Sequence, residues 1–401
     1  MHLLDLPPEL LTTLLSFLPA RDLAIVCQTC ICLRDLARLD SLWQQRCRKE
    51  YKLKSNKSWN ASYFEIYSKV LVKYGTLVGA WKTTMNCYGG LFNVTYCLGQ
   101  ILVEEYFPTK CIQDNLKSVP WFSISLENGE ATVKCLQGFD LPHPGDVKFD
   151  QEEVADGRHR MTTNLICLSS HQEVNEDSEE FQRWMEQEKV KGTIPELLRI
   201  KWQLTRQQKH QLKLSPLVLP PLTPDRIIQT GLFKGTYSAH GTELLMLSYS
   251  DETHEIHLTK ITGDPNVPAG EVSVYVDLRR PMILNREQQE SLQTLRDIDT
   301  PDLPPEFDGN MNLSQPFIVP SQCEEREDYK DIPKYCKARY HSKGRIAGFG
   351  YQNPSFSNNQ WVMFSEDVFG VLWLDLYSFS LFNRIKEEFK IENNLCHLQT
   401  S

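Results

Sequence analysis

The sequence predicts an α+β protein: a three-helix N-terminal unit followed by a mostly antiparallel β-barrel domain that carries a helical insert. Three observations point there. Leucines recur at helical spacing within the first fifty residues, short β-type runs divided by Gly, Pro and Asn take over from Trp81, and residues 173–211 turn helical and charged. Many short strands without intervening helices indicate an antiparallel sandwich or a closed barrel.

Leu6-Pro7-Pro8-Glu9 opens the first helix, because proline suits a first turn and Glu9 favours the positive end of the helix dipole. Leu10, Leu14 and Leu18, with Leu11 and Leu15 beside them, mark its apolar side until Pro19 stops the run. Asp22 is placed to cap a second helix with the stripe Leu23, Val26, Cys27, Cys30 and Ile31. Ser41-Leu42-Trp43-Gln44 fits a capping box for a third, with Trp43 and Cys47 on one face. So small a unit buries little surface alone; either it caps the rest of the chain or one face is completed by a partner. Cys27-x-x-Cys30 resembles half a zinc knuckle, but no second pair follows and both thiols fall on an apolar stripe, so core packing is the reading.

A connector helix follows, with Tyr63, Ile66, Tyr67, Val70, Leu71 and Tyr74 on one face. Strands are expected at 90–96, 100–106, 121–126, 131–135, 232–238, 243–248, 255–260, 272–278, 346–351, 361–364 and 370–376, with Asn128-Gly129 as a hairpin turn. The insert carries seven acids between Glu173 and Glu188. Residues 296–331 hold ten acids, three bases and five prolines, which reads as a flexible acidic excursion within about 285–331. The organisation is thus 1–50 helical unit, 51–80 connector and 81–395 barrel domain.

Composition narrows function. With 401 residues, 41% hydrophobic and 24% charged, the chain is globular in character. A net charge of −9 argues against nucleic acid as a general partner. No run of 18 apolar residues points to a membrane span. Twelve cysteines without a secretory pattern at the start suggest reduced thiols, hence a cytoplasmic and nuclear protein, and the sequons at Asn56, Asn60, Asn93 and Asn312 are then chance matches. Enzyme motifs are absent: there is no G-x-S-x-G, Walker loop or H-E-x-x-H, and the glycine-rich 344–350 stretch opens no helix.

Residues 6–51, with Leu-Pro-x-Glu, the leucine ladder, Leu-Pro-x-x-Asp-Leu and the terminal Trp43, resemble an F-box. The blocks GLFKGTYSAHG (231–241), TKITGDPNVPAG (259–270), Tyr88-Gly89-Gly90-Leu91 after Trp81, and EDVFGVLWLDLYSFSLF (366–382) extend the resemblance to one substrate-receptor branch of the F-box proteins over most of the chain. The resemblance implies a non-catalytic receptor of an SCF-type ubiquitin ligase. Its F-box holds Skp1, and through it cullin-1 and the RING subunit; its barrel presents the C-terminal tail of a target, D-type cyclins or amidated proteins. Matching positions make Leu6, Pro7, Leu10, Leu14, Leu18, Leu23, Val26, Cys27 and Trp43 Skp1-contact or supporting residues. The insert and the acidic excursion differ from the family's and carry nothing over.

The resemblance also implies one structural zinc. Cys135, His143 and His159 match three of four family ligands, no cysteine stands near Glu153, and Cys167, Asp150 or Glu153 could substitute; the alternative is a site decayed to loop. For the substrate pocket the candidates are Phe233, Lys234, Tyr237, His240, Lys260, Thr262, Asp264, Pro265 and Asn266. Asp264 is either an acceptor for an amidated chain end or an Asx-turn residue. The competing class is a barrel that holds a small apolar ligand, with the helical start as a mere cap.

Overall fold

The computed structural model describes residues 3–137, 142–153, 159–169, 179–206, 211–221, 226–250, 254–298, 313–323, 332–386 and 389. The N-terminal unit has four helices where three were expected: α1 (Pro8–Ser16), α2 (Ala20–Val26), α3 (Ile31–Ala37) and α4 (Asp40–Tyr51). The expected second helix breaks after Val26. The Thr29 hydroxyl bonds the Val26 carbonyl at 2.8 Å, and the Cys30 sulfur accepts from the Leu33 N–H at 3.4 Å, so side chains satisfy the broken ends. Asp22 and Ser41 lie inside α2 and α4, which are capped instead by Pro19 and Leu39 without a side-chain bond.

The connector runs as α5 (Tyr63–Ile66), a π-helical turn (Tyr67–Leu71) and α6 (Val72–Tyr74), opened by a Ser62–Glu65 capping box. All six residues of its apolar stripe are buried. Trp43 ties the N-terminal unit to it: its indole packs 5.2 Å from Phe64 and 4.8 Å from Tyr67, and its N–H bonds the Ala37 carbonyl at 2.7 Å.

The strand-rich region is an antiparallel barrel domain, as expected, but it divides into two closed eight-stranded barrels. The first comprises β1 (Gly79–Thr83), β2 (Gly90–Cys97), β3 (Gln100–Phe107), β4 (Lys117–Glu127), β5 (Glu130–Cys135), β6 (His143–Glu153), β7 (His159–Cys167) and, after the insert helices α7 (Glu179–Lys189) and α8 (Pro195–Arg206), β8 (Gln211–Pro216). The second is built from β9 (Gly231–Thr236), β10 (Thr242–Ser250), β11 (Glu255–Lys260), β12 (Val272–Pro281), β15 (Ala338–Gly348), β16 (Gln352–Met363), β17 (Val368–Trp373) and β18 (Ser378–Arg384). Pairing of β1 with β8 and of β18 with β9 closes the rings. The barrel strands not foreseen (β1, β6, β7, β8 and β18) include three of these four closing members.

The described part of 285–331 is packed, not an excursion. Helices α9 (Arg286–Gln289) and α10 (Leu292–Asp297) and the short pair β13 (Gln315–Pro316) and β14 (Tyr335–Cys336) bury Leu292, Leu295, Phe317 and Cys323 against the outer wall of the second barrel. Residues 299–312 and 324–331 of that stretch lie outside the described residues.

Glycines let the barrels touch. Gly89 has φ +61°, and a Cβ there would lie 2.3 Å from Ala269 and 2.5 Å from the Ile261 carbonyl; one on Gly263 would lie 2.8 Å from the Cys87 carbonyl. Backbone bonds then cross the seam, Gly263 N–H to Tyr88 O at 2.9 Å and Ala269 N–H to Cys87 O at 2.9 Å, over an apolar seam of Ala80, Leu91, Leu232, Leu244 and Ile261.

Candidate functional site

The interior of the second barrel is a core of side chains: Phe233, Leu258, Trp361, Phe369 and Phe382 are wholly buried there. A cavity of about 480 Å³ lies instead at one mouth of the first barrel, within the usual range for ligand pockets. Its wall follows the strand ends of that mouth: Thr83, Phe92, Phe107, Ser118, Phe122, Cys135, Cys167 and Gln211. The insert helices supply Trp184, Glu188, Leu197, Lys201 and Trp202, and the rim of the second barrel supplies His240, Thr242, Glu243, Thr262, Gly263 and Asp264.

That rim holds a buried charge cluster. Lys260, Glu243 and Asp264 are 1%, 3% and 3% exposed. The Lys260 Nζ lies 2.8 Å from a Glu243 oxygen and 2.6 Å from Asp264 Oδ2, and sits 4.3 Å above the Tyr237 ring. Tyr237 is fixed by its hydroxyl, 3.0 Å from that of Ser273. Asp264 Oδ1 accepts from the N–H groups of Asn266 (2.7 Å) and Val267 (2.9 Å). Both oxygens of Asp264 are thus engaged, and it is an Asx-turn residue as well as an ion-pair partner. Burial raises its pKa, but Lys260 and then His240 outweigh that and hold it down at about 2.

Glu243 differs. It lines the cavity, but its two oxygens are buried without a hydrogen bond of good geometry, although Lys260 stands at ion-pair distance. Burial pushes its pKa up to about 8, against the pull of Lys260. Of the two carboxylates around one lysine, Glu243 is the one that burial drives toward its protonated form. Burial also lowers the pKa of His240.

Of the nine expected pocket residues, His240, Thr262 and Asp264 line the cavity, and Lys260 and Tyr237 support it from behind. Four do other work. Phe233 is barrel core, Lys234 reaches the Asp114 carbonyl of the other barrel, Pro265 accepts from the Tyr351 N–H at 2.9 Å, and Asn266 holds the Ala347 carbonyl at 2.9 Å. Sequence reasoning missed Glu243 and the insert residues. The signal for Glu243 was its place just after His240-Gly241-Thr242, a strand start beside a block already singled out.

The expected zinc ligands are not brought together. Cys135 pairs with His143 across β5 and β6, whereas His159 pairs with Glu153 at the other end of β6. Ten residues of strand separate those ends, about 30 Å at the usual rise. The His159 side chain lies outside the described residues, and no group of three metal-ligating side chains forms among the described ones. Cys167 does lie beside Cys135, whose thiol burial pushes up to about 12.

The N-terminal unit shows a second candidate surface. Leu23 and Trp43 are buried, and Leu18, Val26 and Cys27 pack against them, while Leu10 and Leu14 are 52% and 48% exposed and Pro7 is exposed too. Phe17 (80% exposed), Ile25 and Ile31, not foreseen as contacts, add to the uncovered apolar side chains. Such a concentration marks an interaction face.

Comparison with known proteins finds a family for each of two stretches of the chain. Residues 3–49 match the F-box-like family, and residues 215–388 match the family described as Cyclin D1 binding domain. The chain is 32% identical to F-box only protein 31 of Mus musculus over 97% of its own length and 85% of that protein. It is 30% identical to the Homo sapiens protein over 97% and 84%, and 30% identical to F-box only protein 31-A of Xenopus laevis over 97% and 85%. The chain belongs to the F-box only protein 31 family.

Proposed function

We propose that the protein is the non-catalytic substrate-recognition subunit of an SCF-type ubiquitin ligase, acting in the cytoplasm and nucleus. Skp1 covers the apolar face around Leu10, Leu14 and Phe17, and brings cullin-1 and the RING subunit with it. The cavity at the mouth of the first barrel takes the C-terminal tail of a target for ubiquitination and proteasomal degradation. The match to a cyclin D1 binding domain supports D-type cyclins as one substrate class.

The observation that carries the reading is the uncovered apolar face itself, with Phe17 at 80% exposure on a unit whose core is otherwise closed. For the tail, the support is Glu243. A primary amide end donates N–H to its carbonyl and accepts its O–H, whereas a carboxylate end offers no donor and meets the Asp264 charge. Amidated ends are therefore the preferred class.

The test is co-purification of Skp1 with wild type and with Leu14→Glu/Phe17→Glu. Both side chains are outward, so the variant should fold as wild type by circular dichroism and thermal melting. Losing such anchors costs roughly 2–4 kcal/mol each, enough to strip Skp1 and cullin. Undiminished Skp1 in the variant would overturn the assignment.

A further inference from the structure

The insert helices do more than cover the cavity. Their connecting turn is stitched to both barrels: the Lys110 N–H bonds the Val190 carbonyl at 2.8 Å, and the Thr242 N–H bonds the Lys191 carbonyl at 3.0 Å. Gly241 permits this approach, since a Cβ there would stand 2.6 Å from the Lys191 oxygen and its φ is +83°. Beneath the turn, Glu188 bridges Lys191 at 2.7 Å and Lys201 at 2.5 Å, and Lys191 reaches Glu105 of β3 at 3.8 Å. Burial opposes the charge on Glu188, yet the two lysines hold its pKa down at about 2.

With those charges paired, what the insert offers the cavity is aromatic surface. Trp184 and Trp202 lie 5.0 Å apart, centroid to centroid, and Phe181 backs Trp202 at 5.2 Å. Trp202 is buried, whereas Trp184 keeps part of its ring uncovered along the cavity. Tyr88 lines the cavity too, with the Lys201 ammonium 5.0 Å from its ring. Polar recognition groups thus sit at the second-barrel rim, and a half-covered indole sits on the insert, in one continuous space.

We propose that Trp184, backed by Trp202, forms a side-chain compartment of the cavity that takes an apolar or aromatic residue at the end of the bound tail, so that the insert sets which tails this protein prefers. The inference rests on the tail-binding reading. An acidic last residue gains nothing there, since the nearby lysines are already matched by Glu188 and Glu105.

The experiment uses the full chain purified with Skp1, and amidated peptides that differ only in the last side chain: Phe, Leu, Ala or Asp. Binding is read by fluorescence polarisation for wild type, Trp184→Ala and Trp184→Phe. Wild type should favour Phe over Ala roughly tenfold, the scale of burying one aromatic side chain. Trp184→Ala should bring that ratio close to one while leaving the Ala-ended peptide nearly unchanged, and Trp184→Phe should keep most of the preference. An unchanged ratio in Trp184→Ala, or equal weakening of all four peptides, overturns the compartment alone. Failure of every peptide to bind wild type overturns the tail reading and the compartment with it.

Discussion

The two barrels share a plan and differ in what they do with it. Each is a closed ring of eight antiparallel strands, and each accepts one insertion between strands. In the second, the insertion between β12 and β15 lies over the outer wall and is apolar where it is described: Leu292, Leu295, Phe317 and Cys323 extend the core outward. In the first, the insertion between β7 and β8 lies over the mouth and brings Glu188, Lys191 and Lys201 as well as tryptophan. One insertion thickens a wall; the other roofs a cavity. The difference teaches where function can sit. A ring packed to crystal-like density has nothing left to offer a ligand, and polar groups accumulate where packing stops.

The strongest way to break that contrast is to hollow the filled ring. Trp361 is wholly buried in the second barrel, so Trp361→Ala should cost about 3–5 kcal/mol in urea unfolding. A loss below about 1 kcal/mol would mean that the ring is not tightly filled. Next in size is the seam cluster. Lys260→Met leaves the buried Asp264 carboxylate without its cation, which should cost roughly 3 kcal/mol and abolish peptide binding. Normal binding in a stable Lys260→Met protein would remove the cluster from the site.

The smallest effect is the sharpest. Burial, with the Asp264 charge beside it, pushes the Glu243 pKa up to about 8 against the pull of Lys260, far above an ordinary carboxyl group. Between about pH 4.5 and 8 the folded state keeps a proton that the unfolded chain has lost, so this group makes stability fall as pH rises. Glu243→Gln removes the slope, and the melting temperature of the variant should gain on wild type from pH 5 to pH 8.5. Binding of an acid-ended peptide to wild type should weaken severalfold across pH 8 as the new charge appears, and Glu243→Gln should not show that step. Parallel pH profiles for the two proteins would return Glu243 to a structural role.

Local signals carried far. The buried stripe of the connector, Tyr63 to Tyr74, was legible because six apolar residues at helical spacing leave one way to bury them. Strand β11 was read with its observed ends, 255–260, because alternation and flanking turns agree there. Two of the unread strands have weak patterns. β6 (HPGDVKFDQEE) is mostly polar, and β8 follows the insert, whose helical texture masked it.

The sequence by itself determined the N-terminal helices, the leucines that give the unit an outward face, the antiparallel strands and the helical insert, since each depends on neighbours within a few turns of chain. Tertiary structure alone decided that the strands form two rings, that the cavity lies between them, and that Glu243 and Trp184 share it. Ring closure joins β1 to β8 and β9 to β18, pairs more than a hundred residues apart. Asp264 shows the limit most plainly. Its turn chemistry was visible in Thr-Gly-Asp-Pro-Asn, but the second carboxyl of the cluster, Glu243, came from a strand whose burial no local pattern announces, because desolvation is set by everything that packs around a group.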